Sequence, residues 1–226
     1  ALGVSELARR ANLPKSTVSR VAGELVEQRL LDRAGDKFTL GVRLFELGQT
    51  VDLPQRLRRF AYPVMAGLRD VTGLSVQLAI LDGTDVVYVA IARSAPALRP
   101  HARIGGRLPA HTTAVGKAIL AYSPPDVVSR VVRGGLAPRT PHTITDPGLL
   151  MQDLRQIRST GVSTEREECV LGRSCVAGAI VTDTQDAVAA ISVAGSSDEV
   201  SVDKLGPAVR AAAAGLTRRT NSLQHD

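Results

Sequence analysis

The stretch Leu13-Pro14-Lys15-Ser16-Thr17-Val18-Ser19-Arg20-Val21-Ala22-Gly23-Glu24-Leu25-Val26 has two different faces at the helical period. An apolar stripe at i, i+3, i+4 and i+7 consists of Val18, Val21, Ala22 and Leu25. The opposite face has small side chains and one guanidinium, from Ser16, Ser19, Arg20 and Gly23. Short donors near a helix N-terminus suit a helix that lies in the major groove of DNA.

The neighbouring segments predict a winged helix-turn-helix over residues 1–41. A short helix is expected at 5–11, and Pro14 favours a turn before the second helix. Two short strands, 30–33 and 37–40, flank a turn that contains Gly35. We therefore expect DNA contacts from Lys15, Ser16, Thr17, Ser19 and Arg20. A further helix normally precedes this arrangement, so we expect the first helix of the domain to be missing.

Charge and composition agree with binding to DNA. The 226 residues have a net charge of +6, and residues 1–60 hold 11 Lys and Arg against 7 Asp and Glu, so the positive excess is densest near the N-terminus. Two cysteines cannot form a disulfide framework or a four-ligand zinc site. Apolar runs are short and no signal-peptide pattern is present, which predicts a cytoplasmic protein with no membrane contact.

A helical connector is expected after the winged domain, with a linker helix at 42–59. Leu44, Leu47 and Val51 form one apolar stripe, and Pro54 should kink or restart the helix. A second stripe is expected from Leu57, Phe60, Val64, Leu68 and Val71. Such stripes, with no sheet of their own to cover, often pair with a second copy of the chain, so we expect a homodimer.

Residues 60–226 predict an α+β domain with a mostly antiparallel sheet flanked by helices. Alternating apolar residues indicate a hairpin of strands 75–81 and 85–93, a strand at 102–104, and two closing strands at 176–182 and 187–194. Helices are expected at 126–133, 148–160 and 201–220. Thr112 and Thr113 precede a helix of small residues, and the unpaired N–H groups of such a helix start attract carboxylates.

The chain resembles the IclR family of bacterial transcription regulators over essentially its whole length. The motifs that carry the resemblance are Ser5-Glu6-Leu7-Ala8, Leu13-Pro14-Lys15-Ser16-Thr17-Val18, Phe38-Thr39-Leu40-Gly41, Leu108-Pro109-Ala110-His111-Thr112-Thr113-Ala114-Val115-Gly116-Lys117-Ala118, Glu167-Glu168, Gly172-Arg173-Ser174-Cys175-Val176-Ala177 and Ile191-Ser192-Val193. The resemblance implies a winged helix, a dimerising linker helix and a GAF-like domain that binds a small organic effector, often a carboxylic acid. It also implies dimers or tetramers on double-stranded operator DNA.

The same resemblance implies an effector site, with no cofactor and no metal. Its residues would be Thr113, Ala114, Val115, Glu165, Arg173, Cys175 and Ser192. Two positions depart from the family pattern: Arg173 stands where an apolar residue can be found, and Ala194 replaces a possible serine. An inward-pointing Arg173 would favour an anionic ligand held by two parallel hydrogen bonds.

Several alternative functions are open on the sequence. His111 with Cys169 or Cys175 could form a Cys–His nucleophile, the two thiols could sense redox state, and His101, His111 or Cys175 could bind a metal. A ligand-sensing module without DNA binding is a further alternative. For Glu165, Glu167 and Glu168 we favour a solvated acidic loop over a carboxylate acid/base site, and for Lys117 a surface or interface charge. A regulator that is not an enzyme is the favoured reading.

Overall fold

The computed structural model describes residues 1–94 and 102–222. The chain divides into two compact units, Ala1–Gln55 and Arg56–Asp226. None of the described helices is both long enough and apolar enough to cross a membrane.

The first unit is a winged helix-turn-helix. Its elements are β1 (Leu2–Gly3), α1 (Val4–Ala11), α2 (Lys15–Glu27), β2 (Leu31–Ala34), β3 (Lys37–Leu40) and α3 (Arg43–Gly48). The strands form an antiparallel sheet in the order β1-β3-β2. Asn12 ends α1 in the left-handed conformation, with φ of 54°, a conformation that asparagine tolerates better than most residues. The predicted helices and hairpin are confirmed.

The second unit is an α+β domain, as predicted. After α4 (Asp52–Thr72), which begins within the first unit, come β4 (Ser75–Asp82), β5 (Asp85–Ala92), β6 (Arg107–Pro109), α5 (Ala114–Ala121), α6 (Pro125–Arg133), α7 (Pro147–Thr160), β7 (Ser163–Arg166), β8 (Arg173–Val181), β9 (Ala187–Ser196) and α8 (Val202–Ser222). The antiparallel sheet has the order β6-β5-β4-β9-β8-β7.

Each face of this sheet is covered by a separate apolar core. Because side chains alternate between the faces of a strand, Ile191 and Val193 of β9 pack in one core with α4 and α8. Ala190 and Ala194 of the same strand pack in the other core, with α5 and α7. The first core is continuous and apolar, whereas polar side chains are buried beside the second.

Three details of the predicted pattern are wrong. The expected strand at 102–104 instead lies at Arg107–Pro109, after a turn in which Gly105 has φ of 74°. Val21, expected in the core of α2, is 38% exposed, and Leu149, expected to point inward from α7, is 57% exposed. In these two helices the buried stripe is narrower than the apolar pattern in the sequence.

The buried face of α4 also differs from its prediction. It consists of Leu57, Ala61, Met65 and Leu68, whereas Val71 is 82% exposed. The observed spacing i, i+4, i+8, i+11 and the expected spacing i, i+3, i+7, i+11, i+14 both fit the helical period of 3.6 residues, so periodicity alone does not decide which stripe is buried. The small side chain of Ala61 and the flexible Met65 fill this face. Pro54 lies in the first turn, where proline is tolerated, and the helix continues past it.

Candidate functional site

The predicted DNA-contacting face of α2 is accessible. The side chains of Lys15, Ser16, Ser19 and Arg20 are exposed and that of Thr17 is half-buried, while Val18 and Ala22 face the core. Arg20 Nη1 donates a hydrogen bond to Glu24 Oε1 over 2.8 Å. Exposed i,i+4 ion pairs contribute only about 0.3–0.5 kcal/mol. The guanidinium can therefore exchange this partner for a phosphate or a base edge.

The second candidate site is at the N-terminus of α5. Ala110–Thr112 form a single 3₁₀ turn, and the hydroxyl of Thr113 then accepts a hydrogen bond from the Gly116 N–H at 3.0 Å. A Cβ on Gly116 would lie only 2.1 Å from the Ala110 carbonyl oxygen. Glycine is therefore required for the turn and the helix to pack this closely. The first N–H groups of the helix have no acceptor within it.

An enclosed cavity lies between this helix start and the sheet. It is lined by Gln77, Tyr88, Thr113, Ala114, Val115, Glu165, Cys169, Cys175 and Ser192. Six of the seven residues predicted for the effector site are among them. The free volume is about 10 Å³, which is room for one water molecule. A bound organic molecule would therefore have to displace part of the lining.

Sequence reasoning did not place Gln77 and Tyr88 at this cavity. The signal was strand register: Gln77 of β4 is paired with Ser192 of β9, which brings two polar side chains together on one face of the sheet. A buried polar residue in an otherwise apolar strand marks such a position. Pairing of β4 with β9 joins distant segments of the chain, so local patterns do not reveal it.

Ser192 is the most informative residue of the lining. It is 1% exposed, and within residues 1–94 and 102–222 its hydroxyl has no hydrogen-bond partner. A buried hydroxyl without a partner costs about 1–3 kcal/mol. Unsatisfied groups of this kind are rare in folded proteins. The cavity therefore contains a hydroxyl group, that of Ser192, which could form a hydrogen bond with a bound molecule.

Glu165 and the two cysteines form the acidic side of the cavity. Glu165 lies opposite Cys175 in the pairing of β7 with β8, and its Oε1 accepts a hydrogen bond from the Cys169 N–H at 3.1 Å. Burial raises the pKa of Glu165 to about 7. Burial also raises the pKa of both thiols, whereas a catalytic or redox-sensing thiol needs a lowered one. This environment disfavours the Cys–His nucleophile and the thiol sensor.

Lys117 is buried, so its expected place on the surface is wrong. Every residue of α5 is buried, and a lysine inside the domain needs an anionic partner. Its Nζ lies 2.7 Å from Glu168 Oε1 and 2.9 Å from Asp153 Oδ2. Lys117 thus joins α5 to α7 and to the segment after β7.

The expectation of a solvated acidic loop is also wrong for two of its three residues. Glu165 and Glu168 are buried, and only Glu167 is partly exposed. The Thr143 hydroxyl donates to the Glu168 carbonyl oxygen and the Thr140 hydroxyl to that of Glu167, each at 2.6 Å. These bonds tie the segment between β7 and β8 to Thr140 and Thr143.

Arg173 is the predicted site residue that does not line the cavity. It is two residues before Cys175 on β8, so its side chain is on the same face of the sheet but one pleat further along. Its positive charge lowers the pKa of Glu199 and counteracts the raised pKa of Cys175. The structure therefore gives no support for a bidentate contact from Arg173 to a ligand in this cavity.

Two other candidate sites are less suited to an effector. An open groove of about 570 Å³ lies between α6 and α7, but its walls are mainly apolar and Arg133, Arg155 and Arg158 are exposed. The cavity at α5, in contrast, is enclosed and has converging polar groups, which favours specific binding.

For the metal alternative, the described residues include no group of three or more His, Cys, Asp or Glu side chains arranged for an ion. His101 lies outside the described residues.

Comparison with known proteins gives matches over nearly the whole chain. Residues 1–35 match the IclR helix-turn-helix domain, and residues 51–218 match the bacterial transcriptional regulator IclR C-terminal domain. The chain is 30% identical over 209 residues to the transcriptional repressor IclR of Escherichia coli, and the aligned region covers 90% of this chain and 76% of the repressor. It is 32% identical, with the same coverage, to the acetate operon repressor of Salmonella typhimurium.

Solved structures agree with these matches. An IclR homolog from Microbacterium hydrocarbonoxydans, complexed with 4-hydroxybenzoate, superimposes with a TM-score of 0.88 at 30% identity, over 96% of this chain and 90% of that chain. The IclR of Thermotoga maritima superimposes with a TM-score of 0.79 at 28% identity, over 96% and 90% of the two chains.

Proposed function

Because the chain belongs to the IclR family of bacterial transcriptional regulators, we propose that α2 binds operator DNA and that a small organic carboxylate in the cavity at α5 changes this binding. Accessible donors on α2 and the positive excess of the first 60 residues support the first part. The DNA contacts are Lys15, Ser16, Thr17, Ser19 and Arg20. The chromosome of a bacterium lies in the cytoplasm, and the regulator acts there.

The unpartnered hydroxyl of Ser192 carries the second part of the proposal. It is inside an enclosed cavity, opposite the N–H groups at the start of α5. Hydroxyl and backbone N–H donors that converge at a helix start are a favourable environment for a carboxylate. The Microbacterium neighbour binds 4-hydroxybenzoate, which supports a ligand of this class.

Ligand binding requires the cavity to expand. Small-molecule sites usually have about 300–1,000 Å³, against about 10 Å³ here. Cys169, in the segment between β7 and β8, lines the cavity. Its neighbours Glu167 and Glu168 are held by Thr140, Thr143 and Lys117. We expect this segment to shift when the effector binds, because it lies outside the regular elements whereas the rest of the lining belongs to strands and to the start of the buried α5. The hydrogen bonds from Thr140 and Thr143 must then move with it or break.

We further propose a division into a DNA-binding domain at 1–41, a linker at 42–59 and an effector domain at 60–226. The linker contains two helices instead of the single expected one, namely α3 and the start of α4. The apolar side chains of Leu44, Phe45, Leu47, Val51 and Leu53 are all at least 40% exposed. Pairing with a second copy would cover them, which supports a homodimer, and dimers of dimers would give the tetramer. Effector binding changes the spacing of the two recognition helices, which must match half-sites one helical turn or a multiple apart.

Operator binding by the whole protein tests this proposal. Fluorescence anisotropy with a labelled fragment of its own upstream region should show affinity that falls steeply with salt, because phosphate contacts release counterions. A panel of small organic ligands, carboxylates included, should contain one that shifts this affinity and raises the melting temperature. The proposal fails if no fragment binds at low salt, or if no ligand of any class alters binding.

A further inference from the structure

A site for an anion in this cavity contains a carboxyl group of its own. We propose that Glu165 is a specificity-determining residue that remains protonated when the effector binds, so that a carboxylate effector and one proton occupy the cavity together. The inference rests on the proposed function and adds the ionisation state in which the site accepts its ligand.

Glu165 is enclosed by groups that do not stabilise a negative charge well. It is 3% exposed, and its neighbours are the Cys169 N–H, at 3.1 Å from Oε1, and the Cys175 thiol opposite it on β8. The backbone N–H groups of Cys169 and Glu168 and the Cys175 thiol favour the carboxylate form of Glu165. Together they do not outweigh the loss of hydration that an ionised carboxylate suffers on burial. The neutral acid is therefore favoured in the empty cavity.

The titratable groups around Glu165 reinforce this preference. Those closest to it are Tyr88 on β5, Cys175 on β8, and Glu168 and Cys169 in the segment after β7. Each of these groups is neutral when protonated and negatively charged when ionised, so none of them supplies a positive charge. A second carboxylate in the same region raises the pKa of the first, which here is about 7.

The cations in the neighbourhood act on other groups. Lys117 is held by Glu168 and Asp153 at 2.7 and 2.9 Å. Arg139 donates through Nε to the Cys169 carbonyl oxygen at 3.3 Å. Arg173 acts on Cys175 and on Glu199, one pleat beyond the lining. Among the described residues that line the cavity there is no Lys or Arg.

A protonated Glu165 changes the site from repulsive to attractive for an anion. Its O–H can donate to an effector carboxylate, together with the Ser192 hydroxyl and the N–H groups at the start of α5. An ionised Glu165 would place two negative charges in contact, which is unfavourable in a buried site. When Glu165 is ionised beforehand, binding combines one protein, one carboxylate effector and one proton. Above the pKa of Glu165, affinity should therefore fall about tenfold per pH unit.

The first experiment needs no ligand. In the full-length protein labelled with ¹³C at glutamate side chains, the Glu165 carboxyl resonance is identified by its loss in Glu165→Gln. We expect this carboxyl to be protonated at about pH 6 and to titrate near 7. A carboxyl that is ionised at about pH 6 overturns the inference, and it does so without touching the proposal that the protein is an effector-responsive regulator.

The second experiment measures binding of 4-hydroxybenzoate and of its neutral amide by isothermal titration calorimetry from about pH 6 to pH 9. For wild type we expect carboxylate binding to weaken about tenfold per pH unit above 7, with proton uptake visible in buffers of different ionisation enthalpy. Amide binding should not depend on pH. Glu165→Gln keeps a donor at this position and should make carboxylate binding independent of pH.

Glu167→Gln is the matched control, because Glu167 is two residues from Glu165 but is partly exposed and outside the lining. This variant should keep the wild-type pH dependence. Carboxylate binding by wild type that is constant or strengthens with pH overturns the inference. So does an absence of carboxylate binding at about pH 6 in a protein that still binds its operator and responds to a neutral ligand. That last result leaves the proposed function standing.

Discussion

Replacing Lys117 by methionine isolates the energetic role of the buried ion pair. Methionine keeps most of the side-chain volume and removes only the ammonium group. Glu168 Oε1, 2.7 Å from Nζ, would then be buried without a cation, while Asp153, 2.9 Å away, is partly exposed and can be hydrated. The variant therefore tests the cost of one uncompensated buried carboxylate.

Removing one partner of a buried ion pair typically costs about 3–5 kcal/mol. In a domain of this size each kcal/mol lowers the melting temperature by roughly 2–4 °C, so we expect a decrease of roughly 6–20 °C. Burial already raises the pKa of Glu168 against the opposing effect of Lys117, and without Lys117 the pKa rises further. A raised folded pKa gives stability that is fully present below the unfolded value and is lost as pH rises. The variant should therefore recover stability in acid.

Thermal unfolding by circular dichroism at about pH 5 and pH 8 measures both effects. The double variant Lys117→Met/Glu168→Gln removes the orphaned charge and should recover most of the lost stability. Arg130→Met is the matched control, since it breaks the exposed Arg130–Asp126 pair of 3.5 Å and should cost less than about 1 kcal/mol. If Lys117→Met is as stable as this control, Lys117 does not carry the energetic weight assigned to it.

The remaining predictions concern α2 and the cavity. Arg20→Ala should weaken operator binding by about 1–3 kcal/mol, the usual contribution of a base-contacting arginine. The melting temperature should be nearly unchanged, because the variant loses only the exposed ion pair with Glu24. An operator affinity equal to that of wild type, measured by fluorescence anisotropy, would show that Arg20 does not contact DNA. Gly116→Ala places a Cβ 2.1 Å from the Ala110 carbonyl oxygen. We therefore expect the free energy of unfolding, measured by chemical denaturation, to fall by about 1–3 kcal/mol, and we expect no ligand-induced rise in melting temperature. A rise as large as that of wild type would contradict this prediction. For Glu165, the pKa of about 7 in the folded protein exceeds the ordinary glutamate pKa of 4.5. Wild type should therefore lose roughly 3 kcal/mol of stability as pH rises between these two values. Glu165→Gln should not show this loss, and parallel pH profiles of the two proteins would refute the prediction.

Much of the fold could be predicted because its signals are local. The turn before α2, the hairpin of β4 and β5 and the small residues of α5 are each readable within one short stretch. The family resemblance then indicated which side chains meet at the cavity, and six of them do line it.

The parts that could not be predicted depend on contacts between distant segments. Lys117 reads as a surface charge because lysine is usually exposed, and its partners, Asp153 and Glu168, are 36 and 51 residues away in the chain. Gln77 reads as an outward-facing strand residue until its pairing with Ser192 is known. Arg173 has the expected strand and the expected face, but the cavity ends one pleat before it.

The sheet that carries the cavity is a single layer, so a displacement of one of its strands affects the apolar cores on both faces. Ser192 lines the cavity, while Ile191 and Val193, its immediate neighbours on β9, belong to the core that contains Leu57 and Met65 of α4. Close-packed interiors transmit small displacements instead of absorbing them. If a ligand in the cavity displaced β9, the displacement would reach α4, whose residues 52–55 belong to the unit Ala1–Gln55.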